Sequence, residues 1–475
     1  MLDAHRFGPG GQDALRVRAR RPEPPRGGVA HDQVGRCRLR RISHRPGRRG
    51  ELGSLVVPEF QTSPGTRDIL PPDAARWRAL TGEFAAVVEP AGYRAIVPPM
   101  FEDLGVFLRL GEATDVVTKE MYDFEDKGGR RVALRPEHTA SVCRAFVQHR
   151  PVEPWKVWYS GPNFRYEKPQ AGRYRQFDQV GIEVLGPDDP LLDVEVISLA
   201  WDFFVGLGLR GVELRVNSLG DAGDRQRYAD ELARHFGGHR AEMSAAALET
   251  LERNPLRVLD SKRPEDAAAI VSAPSMRDHL SRAAVEHFAA VTAGLAEIGV
   301  PHRIDDRLVR GLDYYRRTTF EFVATALPGA QDAIGGGGRY DGLVADLGGP
   351  ETPGVGFALG VDRTLLACDA EGCFAAPDGE VEVFVVDTTG GSVAMHITRE
   401  LRRIGRSADR AWDARSMKAQ MKAADRSGAR VAVIVGSDEA AGGTCIVRNL
   451  GDSQQTTIAR SDLPAHLDAV LGSPA

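Results

Sequence analysis

Paired cysteines, long apolar runs and the common nucleotide-binding loops are all missing from this 475-residue sequence. The five cysteines, Cys37, Cys143, Cys368, Cys373 and Cys445, include no Cys-x-x-Cys pair. That argues against a zinc module or a disulfide framework and fits a reducing cytosol. No apolar run approaches the ~20 residues that span a bilayer, so no membrane association is expected. The N-terminus has no apolar h-region, which argues against a secretory signal; a cytoplasmic location is expected. No Gly-x-x-x-x-Gly-Lys-Ser/Thr loop occurs. Gly335–Tyr340 and Gly354–Gly360 both miss the Gly-x-Gly-x-x-Gly spacing, which argues against a Rossmann cofactor. What is present is ordinary for a globular chain of two to four domains, at 42% apolar and 27% charged residues.

The net charge of −5 hides an asymmetry. Residues 1–50 hold 13 arginines, no lysine and four acids, a balance of +9, so the remainder carries −14. An acidic body must meet any nucleic acid through local basic patches rather than its global field. Residues 1–56 are rich in Arg, Gly and Pro and show no apolar period, so a disordered leader is expected. A basic arm for nucleic acid, a transit peptide and a misassigned start codon compete as its origin, and the last is favoured.

Beyond it, Asp73–Glu89 reads as a helix with Asp73 as N-cap and Trp77, Leu80, Phe84, Val87 and Val88 at helical spacing. Tyr93–Val97 reads as a strand. Trp155–Leu185 reads as an antiparallel hairpin with a basic loop, Arg165–Arg175. In its second strand Phe177, Gln179, Gly181 and Glu183 share one face, and Val180, Ile182 and Val184 the other. Residues 221–304 read as a helical insertion, including helices at Arg225–Phe236 and Met276–Ile298. Thr318–Val323 reads as a strand and Phe357–Cys368 as an apolar helix. A linker near Ala370–Gly379 precedes a small α/β domain, with strands at Val381–Val386 and Arg430–Val435 and helices at Val393–Ile404 and Met417–Arg426.

Arg165, Arg173, Arg175, Arg310 and Arg363 stand in Gly-rich or aromatic settings. Guanidinium groups suit bidentate capture of phosphate and carboxylate, so a polyphosphate held by arginines from separate elements is the chemical reading. For any single arginine an ion pair is the better reading; for several together it is weaker. Glu137, Gln179 and Glu183 could hold an ammonium group, or simply line a half-exposed sheet face. His138 is given no catalytic role. Tyr314 and Tyr315, if on a strand, point oppositely, so at most one would face a site.

Several motifs resemble those of the histidyl-tRNA synthetases, a class II aminoacyl-tRNA synthetase family. Pro64–Leu70 resembles the family's opening. Phe164–Glu167 with Gly172–Phe177 resembles motif 2, and Gly356–Arg363 resembles motif 3. Leu308–Tyr315 is similar to the histidine-binding motif, Asn254–Lys262 to the insertion domain, and Ala333–Asp341 also fits. The His-Ile-Gly-His and Lys-Met-Ser-Lys-Ser signatures of class I are absent.

The resemblance implies an α+β fold: a class II antiparallel sheet flanked by helices over 57–378, the insertion at 221–304, and a C-terminal α/β anticodon-binding domain over 379–475. It implies a homodimer, with Asp73–Pro99 supplying motif 1. It implies that L-histidine and ATP, with Mg²⁺ bridging phosphates, give histidyl-adenylate, and that histidine then passes to the 3′ end of tRNA(His). Arg165 would contact the α-phosphate and the histidine carboxylate, and Arg310 would stabilise charge opposite it. Glu167 would read adenine, Phe177 and Arg363 would sandwich it, and Arg173 and Arg363 would serve the distal phosphates. Glu137, Thr139 and Gln179 would hold the α-ammonium, while Glu183 and Tyr315, with Tyr314 beside them, would read the imidazole. Gln170 and Arg175 would meet the tRNA acceptor end. His138 departs from the glycine of many family members, and altered loop packing rather than lost activity is expected. The alternatives are a non-catalytic, histidine-sensing regulatory subunit of ATP phosphoribosyltransferase and an RNA-binding module without catalysis.

Overall fold

The computed structural model describes residues 60–109, 116–328, 332–377, 381–413 and 415–473. The leader expected over 1–56 lies outside the described residues.

In chain order the strands before the C-terminal region are β1 (Arg94–Ala95), β2 (Phe101–Asp103), β3 (Tyr122–Glu125), β4 (Arg131–Leu134), β5 (Trp155–Phe164), β6 (Gln176–Leu185), β7 (Val212–Ser218), β8 (Arg303–Ile304), β9 (Arg316–Ala324), β10 (Ala333–Arg339) and β11 (Gly354–Gly360). Eight of them form one sheet in the order β1-β5-β6-β11-β10-β9-β7-β8. Its six inner strands are antiparallel, and short β1 and β8 add parallel edges. The antiparallel sheet expected from the motifs is therefore a mixed one. β2, β4 and β3 form a small separate sheet.

Period-two alternation sends one face of the large sheet into the core. Val180, Ile182 and Val184 of β6, Val355, Phe357 and Leu359 of β11, and Phe320 and Phe322 of β9 are buried together. The helix Asp73–Val88 meets them with Leu80, Phe84 and Val88, spaced four apart on one side. Phe84 packs edge-on against Trp158, Phe203 and Phe357. Truncating such a ring to Ala costs about 3–5 kcal/mol. Asp73 does not cap this helix as expected. Pro72 occupies the N-cap without a side-chain bond, and Asp73 is the first helical residue, where its charge still favours the helix dipole. The expected strand at Tyr93–Val97 shrinks to β1, because Pro98 and Pro99 end it and Tyr93 turns into the core.

The helix Pro190–Gly206 is apolar nearly all round, as a helix buried between others must be, and Asp189 caps it by accepting from Leu191 N at 2.9 Å. The insertion has its own core of Tyr228, Leu232, Phe236, Leu251, Leu256 and Met276. The helix expected over Met276–Ile298 is broken: a 3₁₀ turn at Met276–His279 precedes Arg282–Glu297, which Ser281 caps. That second helix belongs to the main core through Phe288, Val291 and Leu295.

Phe357–Cys368 is also not one helix. β11 runs to Gly360 and the helix Val361–Glu371 follows. Apolar residues alternating with glycines form a strand that needs one flat, open face.

In the C-terminal region β12 (Val383–Asp387), β13 (Ala408–Arg410), β14 (Val431–Val435), β15 (Thr444–Asn449) and β16 (Gln455–Ala459) form a sheet in the order β13-β12-β14-β15-β16. Helices Ser392–Arg403 and Met417–Arg426 match the sequence expectation to within a residue or two. β12 and β14 are buried on both faces, as parallel strands between helix layers are.

Candidate active site

The face of the large sheet opposite the core carries glycine, alanine and polar residues: Gln179, Gly181 and Glu183 on β6, Gly356 and Ala358 on β11, Glu321 on β9. A cleft of about 450 Å³ opens over it, lined among others by Arg165, Glu167, Arg173, Phe177, Gln179, Arg310, Glu321 and Arg363. The glycines keep this floor clear. A Cβ on Gly336 would lie 2.8 Å from Arg310 Nη1, and one on Gly356 would overlap the Glu183 carboxylate.

Three guanidinium groups converge on the cleft, and two of them, Arg165 and Arg363, are held by backbone carbonyls. Arg165 follows the end of β5; its Nε donates to Pro136 O at 3.0 Å, and it lies 5.3 Å from the centre of the Phe177 ring. Arg363 opens the helix Val361–Glu371 and donates to Gly172 O at 3.2 Å and Ala333 O at 2.8 Å. Burial lowers its pKa, and the positive charges of Arg173 and Arg165 lower it further. Carbonyl anchors orient a guanidinium without cancelling its charge, so the cluster attracts a polyanion. Arg173 forms an ion pair with Glu167. For these two to serve phosphate and adenine they must exchange that contact for the nucleotide.

Arg310 reaches the cleft from the loop before β9 and donates to Glu321 Oε2 at 2.6 Å. Its Nε is buried and has no partner. An unpaired donor of this kind suits an incoming oxygen.

Of the six residues expected to hold histidine, Gln179 lines the cleft, and its oxygen accepts from Asn163 Nδ2 at 2.7 Å. The other five are buried. Glu137 precedes the helix Thr139–His149 and accepts from Thr139 N at 2.6 Å and Ala140 N at 2.8 Å. Burial raises its pKa, and these backbone donors oppose the rise. Glu183 accepts from Thr139 Oγ1 at 2.6 Å, Tyr159 OH at 3.2 Å and Tyr340 OH at 2.5 Å. Burial pushes its carboxyl up to about 8, although those hydroxyls favour the anion.

Tyr314 and Tyr315 are not on a strand, since β9 begins at Arg316. A turn brings both rings to the same side, 4.6 Å apart, and Tyr314 meets Tyr340 edge-on at 5.9 Å. Both are buried, and the strand geometry behind the expectation that at most one faces the site does not apply to them. Arg310 acts electrostatically on Tyr315, and Glu137 on Arg165, which ties this cluster to the cleft.

The loop Arg165–Arg175 separates its two acceptor-end candidates. Gln170 is exposed and pairs through its backbone with Arg173. Arg175 stacks on Tyr166 at 3.8 Å and packs over Gly65, whose carbonyl accepts from Arg175 N at 2.8 Å. Arg67, two residues on, pairs with Asp362 and lies over the Tyr174 ring at 4.4 Å. Pro64–Leu70 thus braces this loop.

His138 is buried and stacks on Tyr159 at 4.2 Å with the ring planes 5° apart. Both ring nitrogens lack partners, and burial, then Arg135, hold its pKa well below the ordinary value. It is therefore a neutral packing group.

Sequence reasoning missed Tyr159, Tyr340, Glu321 and Asp178. Asp178 lines the cleft, with burial and Asp362 pushing its carboxyl up to about 6. Tyr340 ends the glycine-rich run, but nothing local shows that it meets Glu183.

A family model described as "Histidyl-tRNA synthetase" matches residues 65–364, and one described as "Anticodon binding domain" matches 380–469. The curated Histidine--tRNA ligase of Corynebacterium urealyticum is 47% identical over 410 residues, 85% of this chain and 95% of that protein. That of Rhodococcus opacus is 47% identical over 420 residues, 87% of this chain and 99% of that protein. Among solved structures, apo histidyl-tRNA synthetase of S. aureus superposes with a TM-score of 0.72 at 33% identity, covering 85% of this chain and 98% of that one. A Bacillus halodurans structure described as an ATP phosphoribosyltransferase regulatory subunit/histidyl-tRNA synthetase shares the fold, with a TM-score of 0.59 at 19% identity. On the extent of these matches and the residues they span, the chain belongs to the histidyl-tRNA synthetase family.

Proposed function

We propose that the chain activates L-histidine with ATP and transfers histidine to the 3′ end of tRNA(His). The carrying observation is the cluster of Arg165, Arg173 and Arg363 lining the cleft, beside a buried set of polar groups that can match an imidazole. The histidine carboxylate attacks the α-phosphorus, pyrophosphate leaves, and histidyl-adenylate forms. Arg165 holds the α-phosphate and the carboxylate. Arg310 meets the charge developing on the opposite side, through a donor that is buried and unpaired in the free chain. Fixed donors of this kind are worth on the order of 10²–10³ in rate. Arg173 and Arg363 take the distal phosphates, Phe177 and Arg363 flank adenine, and Glu167 reads its amino group once Arg173 turns to phosphate.

Glu137, Thr139 and Gln179 hold the α-ammonium. Glu183 and Tyr315, with Tyr314 alongside, match the two ring nitrogens. An apolar isostere would leave these buried groups unpaired, which is how such a pocket rejects it.

Mg²⁺ would come with the nucleotide and would supply charge neutralisation on its phosphates. Among the described residues no three acidic, His or Cys side chains converge on one point, so an ion here needs the phosphates as ligands, as Mg²⁺ commonly does. Glu321 is one of the carboxylates lining the cleft that would be available to share it, if it gave up its contact with Arg310.

Residues 380–469 read the anticodon region, and Gln170 and Arg175 the acceptor end. Val97, Met100 and Phe101, exposed just beyond the helix Asp73–Val88, support a homodimer built on this segment. No helix among the described residues is long and apolar enough to cross a membrane; we place the enzyme in the cytoplasm.

The regulatory-subunit reading has less support: the curated relatives at 47% identity are named as ligases, and Arg165, Arg310 and Arg363 are all present. The test is Arg310→Ala in two assays. Histidine-dependent pyrophosphate exchange should be abolished while tRNA(His) binding largely survives. Unchanged exchange would remove Arg310 from the chemistry. Removing 380–475 should weaken charging of tRNA(His) more than adenylate formation; equal loss in both would point to a folding or dimer defect.

A further inference from the structure

The loop from Asp305 to Tyr315 carries Arg310, Tyr314 and Tyr315 but contains no helix or strand of its own. Its shape must come from what it touches. The sheet holds its first part: Asp305 N donates to Val216 O at 2.9 Å, and Asn217 Nδ2 to Leu308 O at 3.1 Å. Further anchors come from the helical insertion.

Arg307 Nη2 donates to Val271 O at 2.7 Å. Val309 packs against both the core of the insertion and the cluster holding Tyr314 and Tyr315. The densest contact is at Asp313. Its Oδ1 accepts from Arg225 Nη2 at 3.1 Å, Asn254 Nδ2 at 3.2 Å and Arg257 Nη2 at 3.3 Å. Arg225 Nη1 also donates to the Asp313 carbonyl and, at 3.2 Å, to that of Tyr315. Arg225 lies on the helix Ala222–Gly238, while Asn254 and Arg257 begin the turn after Ala245–Arg253.

Donors from two elements of the insertion therefore meet one carboxylate oxygen between the residue proposed to face the α-phosphate and the one proposed to read the imidazole. The Asp313 and Arg257 side chains are only 18% exposed, so their attraction is partly shielded from water. A planar guanidinium bonded to both a side chain and the neighbouring carbonyls fixes direction as well as distance.

We propose that Asp313 is a positioning residue, through which Arg225, Asn254 and Arg257 of the insertion set the backbone of residues 310–315 and so place Arg310 and Tyr315. The insertion is then a working part of the amino-acid activation step. The inference rests on the roles proposed above for Arg310 and Tyr315.

The experiment is steady-state pyrophosphate exchange on the full chain, with KM for histidine and for ATP, kcat and thermal midpoint, for Asp313→Asn and Arg257→Met. Histidine KM should rise about tenfold or more, the effect of losing a charge-assisted hydrogen bond. ATP KM should stay within about twofold, because Arg165, Arg173 and Arg363 are anchored elsewhere. Combining the two substitutions should cost no more than Asp313→Asn alone, since both break one contact. Arg225→Lys should recover part of the effect of Arg225→Met, as it keeps the charge without the fork. The proposal is overturned if both single variants keep their histidine KM within about twofold of the unaltered chain, or if the KM values for histidine and ATP rise together. Should Asp313→Asn fail to fold, Arg257→Met decides by the same split. No histidine-dependent exchange from the unaltered chain would overturn the functional reading itself, and this proposal with it.

Discussion

The two halves of the proposed site, one lining the cleft and one buried beside it, hold their polar groups in opposite ways. In the nucleotide half, Arg165 and Arg363 donate to backbone carbonyls, which fix their direction and leave their charge unspent. In the histidine half, Thr139, Tyr159 and Tyr340 all donate to Glu183, so the polar groups satisfy one another inside the protein. The first arrangement suits a polyanion of any identity. The second suits one small molecule whose donors and acceptors can replace the internal ones. On the proposed roles, charge would supply rate in one half, and hydrogen-bond matching would supply selection in the other.

The largest expected effect breaks the nucleotide half. Arg165→Ala should lower the exchange rate by about 10³-fold at saturating histidine, the upper range for a fixed donor in a transition state. A loss confined to KM would mean that Arg165 only binds substrate.

The next breaks the histidine half without touching the first. Glu183→Gln keeps the shape but replaces the titratable carboxyl with an amide. Histidine KM should rise about 10²-fold, with ATP KM nearly unchanged. If both constants moved alike, the two halves would not be separable.

The buried Glu183 also makes the comparison visible without substrate. Its folded pKa of about 8 stands above the ordinary 4.5. Between those values the folded chain keeps a proton that the unfolded chain has lost. The stability this lends is complete below about pH 4.5 and is lost as pH rises through about 8. Glu183→Gln removes the titration, so the melting temperature of the variant relative to the unaltered chain should climb from pH 5 to pH 8.5. A difference that stays flat with pH would show that Glu183 is ionised throughout.

The smallest effect concerns His138, which packs beside the histidine half without joining its bonds. His138→Gly should lower the melting temperature by a few degrees, through lost stacking on Tyr159, and leave exchange within about threefold. A larger loss of exchange would bring the ring into the chemistry.

The same contrast explains what could be read from sequence. The nucleotide half is written locally: β5 and β6 pair across one loop, and Arg165, Arg173 and Phe177 all lie on or beside it. The histidine half depends on pairing between distant strands. Tyr159 faces Gly181, and Glu183 faces Gly356, only once β5, β6 and β11 are in register. β11 itself was obscured because Phe357–Cys368 looks like an apolar run, although Val355, Phe357 and Leu359 alternate with small residues. Tyr314 and Tyr315 misled for a related reason: strand geometry separates adjacent side chains, and the turn that holds them does not. The link from Asp313 to Arg225 and Arg257 spans 88 and 56 positions; Asp313 and Arg257 lie in two of the motifs, but neither motif shows that they meet.

The most direct test of the account is pyrophosphate exchange on the full chain with each of the twenty amino acids in turn. Exchange with histidine alone is predicted, since the proposed pairing of Glu183 and Tyr315 with the two ring nitrogens calls for an imidazole. A folded chain that binds histidine yet exchanges with none of the twenty would contradict it, and would make the arginines a sensor's rather than a catalyst's.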